Sequence, residues 1–307
     1  TGWTAYPPRA TQTPLGGLLF ELAFLTFGIS SILGGMNLIA TIITQRAPGM
    51  TWGRLPIFAW SVLAASVIAL TATQWIAYGL LMIIFERIFN MVFFSPPGGN
   101  ALLYEHVFWF YSHPAVYIMI LPAFGAELEV ISHFARKPIF AYRWVVWAFA
   151  LIVTLSFLVW AHHLFTSGMG ESLHGPFMIL TELISIPTGI VFLSALGTLW
   201  RSKLRLKVPL MFALGMVFNF SIGGLTGIFL ADVATDIALQ DTYFVVAHFH
   251  YTIMGGEIFG AFAAGYYWYP KITGRMYSEK LGRIHFGLMF IMYNITFLAM
   301  FIPGTVG

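Results

Sequence analysis

Residues 56–85 read PIFAWSVLAASVIALTATQWIAYGLLMIIF, thirty residues without a Lys, Arg, Asp or Glu. A helix rises ~1.5 Å per residue, so about 20 such residues cross the ~30 Å hydrocarbon core of a bilayer. This stretch reads as a membrane helix. Working outward from it, apolar stretches of at least ~18 residues recur. There are eight, at approximately 14–44, 56–85, 101–131, 142–159, 176–200, 208–230, 243–270 and 283–303. The breaks carry turn and charge signals: Arg46-Ala-Pro-Gly49, Ser95-Pro-Pro-Gly-Gly99, Arg136-Lys-Pro138, Ser167-Gly-Met-Gly170, Arg201-Ser-Lys-Leu-Arg-Leu-Lys207 and Lys271-Ile-Thr-Gly-Arg275. No soluble domain fits between them. The expectation is an all-α polytopic transmembrane helix bundle, with residues 1–307 forming a single transmembrane domain.

Composition agrees. The 307 residues are 59% hydrophobic, 17% aromatic and 9% charged, with mean hydropathy +0.82. Soluble domains carry ~25% charged residues, so this chain cannot cover a water-facing surface. Disorder and nucleic-acid binding are excluded by the same apolarity, and a disulfide scaffold by the absence of cysteine.

Numbering the connections alternately places Arg46, Arg54, Arg136, Lys137, Arg143, Arg201, Lys203, Arg205, Lys207, Lys271, Arg275, Lys280 and Arg283 on one side, and only Arg9 and Arg87 on the other. Thirteen of fifteen basic residues on one side marks that side as cytoplasmic. Glu86, Glu171, Asp232, Asp236 and Asp241 are then expected at the outer surface, with both chain ends outside. An outward start at Thr1 without a signal sequence implies an odd number of helices upstream, so the chain is expected to be part of a longer polytopic protein.

Of nine histidines, five fall at or near membrane depth: His113, His162, His163, His248 and His250. Ionisable residues there are costly and by default functional, and neutral imidazole is the commonest transition-metal ligand. The competing reading of any one of them is a hydrogen-bonded core residue. His248 and His250 are two positions apart, hence ~200° apart on a helix. They cannot share one metal, but each can ligate a flat acceptor such as haem iron on its own face. His162 and His163 can converge on one ion only if the chain leaves helical geometry there, and Gly168 and Gly170 lie just beyond. His113 precedes Pro114, and Tyr117 lies at i+4 on the same helix face. Three histidines from two segments, without thiolate or carboxylate, suit copper or zinc with an open position.

Trp109…His113-Pro-x-x-Tyr117, Trp160-Ala-His-His163, Ile186-Pro-Thr-Gly189, Gly223-Gly-Leu-Thr-Gly227 and Asp241-Thr-Tyr-x-Val-Val-Ala-His-Phe-His-Tyr251 closely resemble subunit I of the haem–copper oxygen reductases, the cytochrome c oxidase family. The resemblance runs from Gly2-Trp-Thr-x-Tyr-Pro-Pro8 to the C-terminus and covers the family's fourth to eleventh helices, eight spans of an expected twelve. It implies copper B held by His113, His162 and His163, a high-spin haem on His248, and a low-spin haem, a-type like the other, on His250. Tyr117 matches the family's tyrosine that is covalently linked to the copper-ligand histidine. The second low-spin haem ligand belongs to the family's second helix. The implied activity is reduction of dioxygen to water by a terminal respiratory oxidase, with proton uptake and pumping. Electrons would come from cytochrome c or another donor through a subunit II-like partner, beside a subunit III-like membrane subunit. The expected location is the bacterial inner membrane, ahead of the mitochondrial one.

The chain departs from the family pattern in three places. Ala115 stands where many members have a proton-gating glutamate, and Tyr111-Ser112 one turn earlier resembles the subtype in which that hydroxyl pair replaces it. Val191 stands at the position of the channel lysine. Thr188 remains there, and Glu182 is a candidate for a substitute route, weighed against a neutral carboxylic acid within the bundle. The outer His-Asp metal pair appears as Gln240-Asp241, leaving Asp241 as the candidate magnesium ligand. A nitric oxide reductase of the same superfamily competes, although Tyr117 and Ala115 argue against it. A proton-coupled membrane transporter is the alternative from another class, and it leaves the His162-His163 and His248/His250 pairs unexplained.

Overall fold

The computed structural model describes residues 2–13 and 15–306. In order, the helices are α1 (Arg9–Gln12), α2 (Leu15–Thr44), α3 (Ile57–Phe89), α4 (Ala101–Ala135), α5 (Tyr142–Ser156), α6 (His174–Leu183), α7 (Ser185–Leu199), α8 (Val208–Ala231), α9 (Val233–Leu239), α10 (Tyr243–Phe249), α11 (Phe259–Thr273) and α12 (Glu279–Val306). A π-helical segment, His250–Ile258, joins α10 to α11, and a 3₁₀ turn, Trp160–Leu164, follows α5. No strand occurs among the described residues. Position 14, the expected start of the first span, lies outside them.

Six of the expected eight spans correspond to helical stretches long and apolar enough to cross a membrane: α2, α3, α4, Glu171–Leu199 (which includes α6 and α7), α8 and α12. The stretch expected at 142–159 holds only the 15-residue helix α5. The stretch at 243–270 is divided by the π segment, so none of its pieces reaches span length. The break between α6 and α7 precedes Pro187. Proline has no N–H for the carbonyl four residues back, and its ring crowds that carbonyl. Pro114 and Pro122, by contrast, are carried inside α4 without ending it.

α4 is the axis of the fold. It touches α3, α5, α7, α8, α11, the 3₁₀ turn and the π segment. Its buried side chains, among them Tyr104, Phe108, Leu121 and Phe124, join those of α3, α5 and α8 in one core. α12 lies at the periphery, where only Gly282 and Gly304 are buried. Large apolar side chains such as Leu288, Ile295 and Ile302 face outward from it, as lipid contact requires.

Residues 2–13 fold over the N-terminal part of α4. Trp3 meets Phe108 and Trp109 edge-on at 5.2 and 5.7 Å. Arg87, in the last turn of α3, donates to the carbonyls of Ala10 and Thr13 and lies 3.6 Å from the Glu21 carboxylate. Two acids expected at the outer surface are buried instead. Glu86 accepts from the N–H groups of Phe93, Phe94 and Ser95 at 2.6–3.1 Å and so closes the turn after α3. Asp236, on α9, is 1% exposed.

Candidate metal and haem sites

α5 ends at Ser156, and the chain re-enters as the 3₁₀ turn that carries His162 and His163. This is the departure from helical geometry that joint ligation requires. The two rings lie 4.3 Å apart, and His113 of α4 lies 4.4 Å from His162 and 5.4 Å from His163 between centroids. One ring nitrogen from each of the three falls within 4.8 Å of the others, and His113 Nδ1 is 3.2 Å from His163 Nε2. His113 Nε2 is buried without a hydrogen-bond partner among the described residues, and a cation held by the cluster would satisfy it.

The donor set fits a borderline-soft transition metal. His162 Nδ1 is 2.9 Å from the Thr181 hydroxyl of α6, a partner that orients the ring from outside the cluster. The Trp109 indole stacks on His163 at 3.5 Å with planes 10° apart, and its Nε1–H donates to the Tyr6 hydroxyl. Burial pushes the Tyr6 hydroxyl up from its ordinary range, so it stays protonated. Tyr117 lies on the His113 face with ring centroids 4.9 Å apart.

His248 lies within electrostatic range of all three. Its Nδ1 is 3.0 Å from the Gly223 carbonyl and 3.2 Å from the Thr226 hydroxyl. A carbonyl only accepts, so Nδ1 carries the proton and Nε2 keeps its lone pair for a ligand. His250 repeats the arrangement: Nδ1 donates to the Val246 carbonyl at 2.8 Å, and the ring lies between Phe249 and Phe297, 4.6 and 4.0 Å away. Both rings fit axial ligation of haem iron. α8 approaches this helix closely because residue 223 is glycine, where a Cβ would come 2.6 Å from the Thr252 nitrogen.

The other expected residues are more dispersed. Tyr111 and Ser112 are buried beside His113 on α4, and Ser112 Oγ has no partner among the described residues. Thr188 donates to the Ile184 carbonyl within its own helix, and Val191 is buried in the core. Glu182 is exposed on α6, against the alternative reading of a neutral acid within the bundle. Asp241 is exposed in left-handed backbone at φ 62° and interacts electrostatically with Asp236. Sequence reasoning gave no role to Thr181, Tyr6, Tyr293 or Phe297. Each reaches its histidine or indole partner from a distant segment, and no local spacing announces it.

The family described as Cytochrome C and Quinol oxidase polypeptide I matches residues 1–307. Similar proteins include cytochrome c oxidase subunit 1 of Thermostichus vulcanus, 46% identical over all of this chain and 56% of its own length. That of Synechocystis sp. is 48% identical over the same shares. The chain thus spans about half the length of the curated relatives it matches. A cryo-EM structure of a heme-copper terminal oxidase dimer has the same fold, with TM-score 0.74 at 19% identity, covering 99% of this chain and 62% of that one.

Proposed function

This chain belongs to the cytochrome c and quinol oxidase polypeptide I family, and from that membership we propose that it forms the metal-holding core of the catalytic subunit of a terminal respiratory oxidase that reduces dioxygen to water. The observation that carries the reading is the convergence of His113, His162 and His163 within 4.8 Å, with Tyr117 beside His113. Those three would hold copper B, His248 the high-spin haem and His250 the low-spin haem, both a-type. When bound, the copper and haem irons supply the electron-transfer and dioxygen-reducing chemistry.

The chain's own residues do the rest. Thr181 orients His162, and Trp109 holds the plane of His163. The Gly223 carbonyl keeps the His248 proton on Nδ1. Tyr117 holds a proton on its hydroxyl at the edge of the cluster. Tyr111 and Ser112, buried one turn before Ala115, end the proton route, with Thr188 and the exposed Glu182 on a second branch. Asp241 is the magnesium candidate on the water-facing outer loop. Residues 1–307 act as one transmembrane domain in a bacterial inner membrane. Electrons arrive from cytochrome c or another donor through a subunit II-like partner, beside a subunit III-like one, and proton uptake is coupled to pumping.

The test is metal analysis and a reduced-minus-oxidised spectrum of the intact complex, with and without carbon monoxide. The expected result is one copper lost in His163→Asn while both haems stay, a CO-sensitive haem lost in His248→Ala, and turnover with dioxygen. Full copper in His163→Asn, or turnover with nitric oxide alone, would overturn the reading.

A further inference from the structure

The helix bearing His248 and His250 changes register at the second of them, and what holds that change comes from α12. The π segment begins at His250. The Tyr293 hydroxyl donates to the His250 carbonyl and lies beside Gly255. It therefore engages the backbone carbonyl at which the π segment begins, and a side chain inserted into the ladder is a recognised cause of helix distortion. A Cβ at position 255 would stand 3.2 Å from that hydroxyl and 2.8 Å from Asn219 Cβ, so glycine leaves the phenol its room.

A second chain of bonds braces the same place. Tyr251 donates to Asn294 Oδ1 at 2.8 Å, and Asn294 Nδ2 donates to Asn219 Oδ1 at 3.1 Å and to the Phe290 carbonyl at 2.9 Å. This ties α8, the π segment and α12 together through polar side chains in an otherwise apolar core, with Asn219 Nδ2 left without a partner among the described residues. One turn on from Tyr293, Phe297 lies nearly parallel to the His250 ring, 4.0 Å away with planes 17° apart. One face of α12 thus grips both the backbone and the ring of His250.

We infer that Tyr293 is a positioning residue for His250, wedging the helix into its π register and so setting the direction of the His250 imidazole relative to that of His248, with Asn219, Tyr251 and Asn294 as the brace. The inference rests on the proposed role of His250 as a low-spin haem ligand.

Tyr293→Phe in the intact complex removes the hydroxyl and keeps the ring. The expected result is full haem content with the low-field electron paramagnetic resonance line of the oxidised low-spin haem shifted and broadened, and its midpoint potential displaced, while the CO-difference spectrum of the high-spin haem is unchanged. Asn294→Leu should give a smaller shift in the same direction. An unshifted line and potential in Tyr293→Phe would overturn the inference. If that variant does not accumulate, Tyr251→Phe and Asn294→Leu take its place, and parental spectra in both overturn it. His250→Ala separates this from the underlying reading. A surviving low-spin signal in His250→Ala removes the haem assignment itself, whereas its loss beside a parental Tyr293→Phe removes only the wedge.

Discussion

Thr181 touches His162 through a single hydroxyl at 2.9 Å, and that hydroxyl also donates to the Phe177 carbonyl of its own helix. Partners of this kind orient a metal-bound imidazole, and their removal costs ~10–100-fold in metal affinity. Thr181→Val keeps the shape and removes the oxygen. Copper retention during chelator titration of the intact complex should fall by about that factor, with haem content unchanged. Tyr111 and Ser112 bear on proton delivery. Ala115 cannot carry a proton, and Tyr111 and Ser112 place two buried hydroxyls one turn earlier on the same helix. Replacing the pair, Tyr111→Phe with Ser112→Ala, should abolish oxygen turnover while metal and haem content persist, and parental turnover would remove the proposed route.

At the scale of elements, the contact between α8 and the helix that carries His248 and His250 is decided by the absence of one side chain. Gly223 lies against the Thr252 backbone with no room for a methyl, and its carbonyl is the partner of His248 Nδ1. Backbone cannot yield as a flexible side chain can, and overpacking costs ~1–3 kcal/mol. Gly223→Ala should therefore force the two helices apart, lower the thermal midpoint of the complex and weaken haem binding at His248 together. A lowered midpoint with an unaltered CO-difference spectrum would show that the crossing and the haem site are independent. The same logic explains α4, whose two prolines are tolerated because neighbouring helices surround it, as membrane helices allow.

At the scale of the whole molecule, the outer ledge carries charge that the fold buries. Burial first, and then the nearby Asp241 charge, push the Asp236 carboxyl up to about 7. An unfolded aspartate titrates at about 3.9. The folded state therefore holds a proton that the unfolded state has already released between those values. That contribution to stability is complete below about 3.9 and is lost as pH rises through about 7. Asp236→Asn mimics the neutral acid. Its thermal midpoint should fall less than the parent's between pH 5 and 8, and should exceed the parent's at pH 8 by ~2–4 °C for each kcal/mol recovered. Parallel pH profiles would count against a buried neutral Asp236.

Helical class and six of the spans were legible in the chain because lipid imposes a one-dimensional rule: a span must be long and apolar. The cluster of His113, His162 and His163 was legible because a polar group at membrane depth stands out against 59% hydrophobic residues. Where α5 stops was not legible, since residues 156–160 contain no glycine or proline, and packing against α4 and α6 sets the turn that brings His162 to His163. Nor could spacing reveal that Glu86 and Asp236 are buried, or that Thr181, Phe297 and Tyr293 serve histidines 19, 47 and 43 positions away. Those facts depend on which helices become neighbours, and neighbours are chosen by side-chain fit in three dimensions rather than by any period along the sequence.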